Sequence, residues 1–316
     1  MNEKLKTICE RFIADRDLLK STFPWDNIYI IPVCAALLGS RKAEITADKL
    51  KECRKLIEQH TSIFSKFRPH TMLPMASLLA CAEDPLDQLQ ASMCIGSDMK
   101  EHLYATEYLA LVSGMLAGRI AREDVDAHAA RAKEIHMLMK QKHPLLTTSE
   151  DSAYAALLAF SDKPAETLVA EMEQCFQTLK PRYHDSASVQ SAAQVLTVTE
   201  GAPDEKCGKL CALFDGLTAA GNPCGRFHEL SMLSVLALVK TDTETLTAEI
   251  IEADAFLEKQ KGYAVGGLDK RTRLLHAIML VTILHDDDDG LTMMAARQAA
   301  LCTVIASYAT ASTGIL

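Results

Sequence analysis

Leu78-Leu-Ala-Cys-Ala-Glu-Asp-Pro85 and Leu157-Leu-Ala-Phe-Ser-Asp-Lys-Pro164 carry one local pattern twice. Each is the end of an apolar helix, an acidic turn, and a proline opening the next helix. Proline is accepted in a first helical turn because the N–H it lacks has no intrahelical partner there. Looser copies lie at Gln194-Val-Leu with Glu200 to Pro203, and at Leu236-Ala-Leu with Thr241 to Thr243. Two more lie at Ala35-Ala-Leu-Leu-Gly39 and Gly114-Met-Leu-Ala-Gly118. Successive copies stand about 40 residues apart, the size of two-helix repeats.

Each repeat joins two kinds of helix. The first is short and apolar on most faces, as in Thr71–Ala82, Ser152–Phe160 and Arg273–Leu284, and must be buried on several sides. The second is longer and amphipathic. Leu50, Cys53, Ile57, His60 and Phe64 form one stripe, Leu168, Met172, Cys175 and Leu179 another, and Leu246, Ile250, Ala253 and Leu257 a third. The expectation is an all-α array of helical hairpins, either an α-solenoid or a closed α/α toroid; periodicity does not choose between them. Thr147 with Glu150, or Thr148 with Asp151, reads as a capping box. No Gly/Ser-rich linker divides the chain, so residues 1–316 read as a single helical-repeat unit, loosest at 262–267 before the C-terminal helices.

Composition agrees. The chain has 316 residues, 48% hydrophobic and 24% charged, with only 5% aromatic, a mix that favours helix over strand. The formal net charge is −9 and no basic stripe is concentrated anywhere, which argues against nucleic acid as a partner. Met1 to Phe12 lacks the apolar core and cleavage site of a secretory signal, and Leu274 to Leu284 is too short to span a bilayer. Ten scattered cysteines without framework spacing point to free thiols in a reducing cytoplasm. The small-residue helix from Met293 to Ala311 either caps the last repeat or pairs between subunits; the oligomeric state stays open.

Thr61-Ser-Ile-Phe-Ser-Lys-Phe-Arg68, Lys142-His-Pro-Leu-Leu-Thr-Thr-Ser-Glu-Asp151 and the Ala-Leu-Leu-Ala run at 156–159 resemble a bacterial family known as domain of unknown function 4003. The order of segments is similar through Asp269-Lys-Arg-Thr-Arg-Leu-Leu-His276, so the resemblance covers nearly the whole chain. It implies one family unit and brings no activity or catalytic residue with it. The many cysteines and histidines depart from that family pattern.

No catalytic or cofactor motif stands above the bland reading of its residues, so no cofactor is expected. Cys207, Cys211, Cys224 and His228 offer four soft ligands for a tetrahedral zinc site. Against this, Cys207, Leu210, Cys211, Phe214 and Leu217 make one apolar stripe, where cysteine acts as a small hydrophobe. His285-Asp-Asp-Asp-Asp-Gly290 fails as a calcium loop, because His285 and Ala296 occupy the first and twelfth positions. Gly201 to Lys209 fails as a phosphate loop. Ser97-Asp-Met-Lys100 matches a short serine–lysine pattern that chance alone supplies. His128 and His136 share a helix without an i,i+4 partner.

One functional expectation comes from topology. In a helical-hairpin array, the loops entering the short apolar helices gather on one edge. Here they carry Arg68 and His70, Thr148 to Asp151, His184, Arg226 and His228, then Arg271, Arg273 and His276. Arginine, histidine and free helix N-termini favour anions. The leading expectation is a non-catalytic binding or scaffold protein whose partner is a protein, an acidic peptide or a small anionic ligand. The rivals are an α/α-toroid enzyme, with histidine and carboxylate as acid and base, and a metal or small-molecule binder.

Overall fold

The computed structural model describes residues 1–39, 45–62, 65–68, 70–223, 228–263, 267–286 and 290–312, with side chains to residue 309. All regular structure among the described residues is helical, in fifteen α-helices and one short 3-10 turn at Arg122–Asp124. Two compact units hold them: one of residues 15–166 and 305–316, the other of residues 1–14 and 167–304.

In the first unit, α2 (Ile30–Gly39), α4 (Met72–Ala80), α6 (Glu107–Leu116) and α8 (Asp151–Leu158) are the short apolar helices. All nine residues of α4 are buried, as are Ile30 to Leu38 of α2 and Tyr108 to Leu116 of α6. They pack side by side in an inner row, α2 on α4, α4 on α6 and α6 on α8. The amphipathic α3 (Ala47–His60), α5 (Pro85–Met99) and α7 (Val125–Lys142) form an outer row, each against the inner helix that follows it. Leu50, Cys53 and Ile57 are the buried stripe of α3, as their 3-4 spacing requires. Phe64, the last residue of the expected stripe, lies outside the described residues.

The second unit repeats the scheme. Its inner helices are α10 (Ser186–Thr197), α12 (Glu229–Leu238) and α14 (Lys270–Leu284), and its outer helices include α11 (Pro203–Ala219) and α13 (Thr243–Glu258). Both α1 (Glu3–Thr22) and α9 (Ala165–Leu179), like the final α15 (Gly290–Ser312), have residues in each unit. The boundary at 264–266 of the looser joint falls outside the described residues.

Short polar side chains cap several of the helices. Thr46, Asp84, Thr106, Asp185, Asp242 and Asp269 each accept a hydrogen bond from a backbone N–H of the first turn. Of the two boxes read before α8, the geometry is that of Thr148 with Asp151: the Thr148 N–H donates to the Asp151 carboxylate at 2.7 Å. Four buried hydroxyls are satisfied within their own helices: Ser77, Ser113, Ser234 and Thr282 each donate to the carbonyl four residues back.

A second device, invisible to motif reading, recurs at the other end. The last carbonyls of a helix have no intrahelical donor, and water does not reach them when the helix is buried. An outer-row side chain supplies the donor. Lys49 of α3 reaches the Ala82 carbonyl beyond α4, and Gln88 of α5 reaches Gly114 and Ala117 at the end of α6. Arg131 of α7 donates to Ala159, Ser161 and Lys163 beyond α8. In the second unit, Lys209 of α11 serves Val239 and Thr241, and Lys4 of α1 serves Leu284.

Replacing Arg131 by methionine keeps the stem and removes the donors to three carbonyls. A loss of about 2–3 kcal/mol is expected, from the ~1–3 kcal/mol cost of stranding a buried polar group. Urea denaturation of Arg131→Met beside the parent chain measures it; an unchanged midpoint would show that the bonds carry no weight.

Candidate functional site

The sequence-derived rim residues divide between the two units. Arg68 and His70 belong to the first, in the loop that enters α4. The Arg68 guanidinium turns back on its own loop, donating to the Thr61 hydroxyl at 2.9 Å and to the carbonyls of Glu58 and Thr61. It stitches the loop to the end of α3. His70 sits over the first turn of α6, with Nδ1 3.1 Å from a Glu107 carboxylate oxygen. That oxygen also accepts from the His70 backbone N–H at 3.3 Å.

In the second unit, Arg271 forms a two-pronged pair with the buried Glu229 carboxylate at the start of α12, one contact being 3.1 Å. Arg273 is buried and donates to both carboxylate oxygens of Asp254, at 2.8 and 3.0 Å, with Glu258 at 3.0 Å. His276 is fully buried, with Nδ1 2.7 Å from the Tyr263 hydroxyl and its ring against Phe12. His228 stands at the start of α12, where burial pushes its pKa down. His184 is exposed, and its carbonyl accepts from Lys180. Arg226 lies outside the described residues. Structure thus brings Arg271 and Glu229 together, and Arg273 with Asp254, as ties between neighbouring helices rather than as outward-facing cations.

Of the proposed zinc set, Cys207 is buried on α11. A hydrogen bond with Cys175 of α9 and burial both push its pKa up. Cys211 lies 3.8 Å from the Tyr183 hydroxyl, and Cys224 is outside the described residues. Among the described residues, no group of three or more histidine, cysteine or acidic side chains is placed to hold a metal ion. Burial raises other thiols too, Cys53 to about 11, and Cys9 and Cys302 to about 12. Such thiols are packing groups, not nucleophiles. In the acidic loop, Asp286 pairs with Arg297 at 2.6 Å, and residues 287–289 lie outside the described residues.

What the loops do build is a series of hollows in the first unit, where the segments entering α4, α6 and α8 meet. The first hollow, about 430 Å³, has an apolar floor of Phe67, Met93, Leu109 and Ala110. Its walls carry the hydroxyls of Thr61, Ser62, Ser65, Ser97 and Thr106 and the ammonium groups of Lys66 and Lys100, with His60 at the side. No carboxylate lines it among the described residues. Neither ammonium has an ion pair or hydrogen bond among the described residues. Gly96 opens the floor: a Cβ there would stand 3.0 Å from the Ser113 hydroxyl, so glycine lets α5 approach α6.

A second hollow of about 340 Å³ shares Lys100 and continues past Tyr104 to Lys133, His136 and Met137, with Glu101 on its wall. His136 is fixed by a 2.8 Å bond to the Thr148 carbonyl. A third, of about 390 Å³, shares Lys66, Ala105 and Thr106 with the first and holds His70, Glu107, Ser149 and Glu150. Burial, then Asp151 and Glu107, push the Glu150 carboxyl above its ordinary range.

Sequence reading passed over Lys66 and Lys100, although both stood inside segments it quoted. Lys66 is two residues before Arg68, and Lys100 closes the Ser97-x-x-Lys100 match, whose two ends both line the first hollow. The available signal was position: both lie where a loop meets a short buried helix. Lysine was passed over because arginine is the better geometric match for a carboxylate, and the fold spends its arginines on internal ties.

Removing a partner from a buried ion pair leaves a charge without compensation and costs about 3–5 kcal/mol. Arg273→Met is expected to destabilise by that amount, with most of it regained in Arg273→Met/Asp254→Leu. Urea titration of both variants checks the structural role; a single variant as stable as the parent would overturn it.

A family model described as protein of unknown function (DUF4003) matches residues 17–310 of the chain. No curated protein matches the chain, and no solved structure does. No described helix is long and apolar enough to cross a membrane.

Proposed function

The chain belongs to the DUF4003 family, and from that premise we propose that it is a non-catalytic binding protein whose first unit takes an anionic group into the hollow between Lys66 and Lys100. One observation supports this above the rest. In a chain of net charge −9, a cavity is walled by two ammonium groups without an ion pair or hydrogen bond among the described residues, by five hydroxyls and, among its described walls, by no carboxylate. Lysine ammonium groups attract a carboxylate or phosphate as point charges, and the hydroxyls of Ser62, Ser65, Ser97 and Thr106 can donate beside them, the Thr61 hydroxyl being committed to the Ile57 carbonyl. The apolar floor lowers the local dielectric and strengthens both. Arg68 serves the site indirectly by holding the loop that presents Lys66 and Phe67.

An acid–base enzyme is the second reading, and it too has an observation in its favour. His70 is oriented by Glu107 in the third hollow, beside a Glu150 carboxyl raised by its surroundings. A histidine held by a carboxylate is a usual general-base arrangement. Binding ranks first because nothing described in that hollow supplies a nucleophile hydrogen-bonded to His70, or a set of donors aimed at one reacting atom.

Isothermal titration of the full chain with citrate, inorganic phosphate and polyphosphate, at fixed ionic strength, tests the assignment. At least one of these is expected to bind, and Lys66→Ala/Lys100→Ala is expected to weaken it roughly tenfold or more. His70→Ala should leave the affinity unchanged. Failure of all three anions, or equal affinity in the double variant, would overturn the binding reading.

A further inference from the structure

The first and second hollows meet at Lys100, and the loop from Lys100 to Thr106 is their common wall. We infer that they form one groove for an acidic peptide segment bearing apolar anchors, supplied by a separate protein. This rests on the anion assignment above and names the partner that assignment leaves open.

Charge complementarity selects the partner. Lys66, Lys100 and Lys133 line the groove in succession, and none has an ion pair or hydrogen bond among the described residues. Such a row suits several carboxylates spaced along a chain better than one compact anion. Apolar side chains stand among the ammonium groups. Phe67, Met93 and Leu109 floor the first hollow. In the second, Tyr104 and Met137 are 54% and 53% exposed, although each is a large apolar side chain beside others of its kind. Exposed aromatic and methionine side chains of this sort are the usual anchors of peptide recognition, methionine because it repacks around varied side chains.

Glu101 sets the register. It is a carboxylate on the wall of the second hollow, so an acidic side chain there is repelled and an apolar one is not. The expected peptide therefore places its carboxylates toward Lys66 and Lys100 and an aliphatic or aromatic side chain against Tyr104 and Met137. Several wall residues are held by contacts within the fold. Thr106 caps α6, His102 is held by Asp126 at 2.7 Å, and the Tyr104 ring meets His136 edge-on at 5.7 Å. A preformed groove of this kind reduces the ordering cost on the receptor side.

The test is fluorescence anisotropy of the full chain with labelled synthetic peptides in which glutamates alternate with leucine and phenylalanine. Two control sets replace every glutamate by glutamine or every apolar residue by alanine. Both replacements are expected to weaken binding roughly tenfold or more. Tyr104→Ala/Met137→Ala should weaken the alternating peptide about tenfold and leave the affinity for citrate or phosphate unchanged. Small anions binding through Lys66 and Lys100, with the alternating and alanine-substituted peptides equal in affinity, would overturn the peptide inference while leaving the anion site in place. Binding of neither peptides nor small anions would overturn both. A glutamine peptide that binds as well as its glutamate parent would overturn the charge argument outright.

Discussion

Burying a short helix on every side strands its last carbonyls, and most of this architecture follows from how they are satisfied. In a half-exposed helix those groups bond to water. In α4, α6, α8, α12 and α14 the need falls on a neighbour, and the protein assigns it to a side chain from an outer helix: Lys49, Gln88, Arg131, Lys209 and Lys4. Each donor anchors the start of an outer helix to the end of an inner one, so the hairpins stack with their polarity alternating. A lysine or arginine there also places positive charge at the negative end of the helix dipole. The same bond satisfies the backbone, fixes the stacking and neutralises the terminus.

The two ends of an inner helix then have different duties. Its C-terminal end is closed by a donor from another helix, a cation in four cases and the Gln88 amide for α6. Its N-terminal end is closed locally, by Thr106 for α6, by Asp185 for α10 and by Asp269 for α14, with bonds inside the first turn that ask nothing of neighbours. In the first unit the loops entering the inner helices build the hollows. Loops carried by a packed scaffold are where binding residues concentrate.

Much of this was legible from the amino acids. The acidic turn before Pro85 became the cap of α5, the stripe of Leu50, Cys53 and Ile57 became the buried face of α3, and the uniformly apolar run after Thr71 became a helix buried throughout. Periodicity and capping are local, so sequence shows them. The partners of Arg271 and Arg273 were not legible. Glu229 is 42 residues from Arg271 and Asp254 is 19 from Arg273, and only the stacking of α12 and α13 on α14 brings them together. Before folding, an arginine in a loop looks available to a ligand; after folding, these are ties. Lysine divides two ways: Lys49 and Lys209 are spent on helix ends, whereas Lys66 and Lys100 have no ion pair or hydrogen bond among the described residues, and nothing local in the sequence separates the two kinds.

That leftover charge acts at short range. The chain as a whole is acidic, so its distant field repels an acidic partner. At physiological salt, however, that field decays over about 8 Å. On the proposed reading, a carboxylate in the first hollow sits against the ammonium groups of Lys66 and Lys100, and no carboxylate lines that hollow among the described residues. Attraction is then felt on contact rather than from afar, which gives up electrostatic steering and keeps local discrimination. On the proposed reading, contact-range attraction combined with apolar anchors rejects partners that carry charge alone. In the proposed groove the attraction comes from Lys66, Lys100 and Lys133, which hold no helix end among the described residues, so changing them would leave the ties of Arg131 and Arg273 in place.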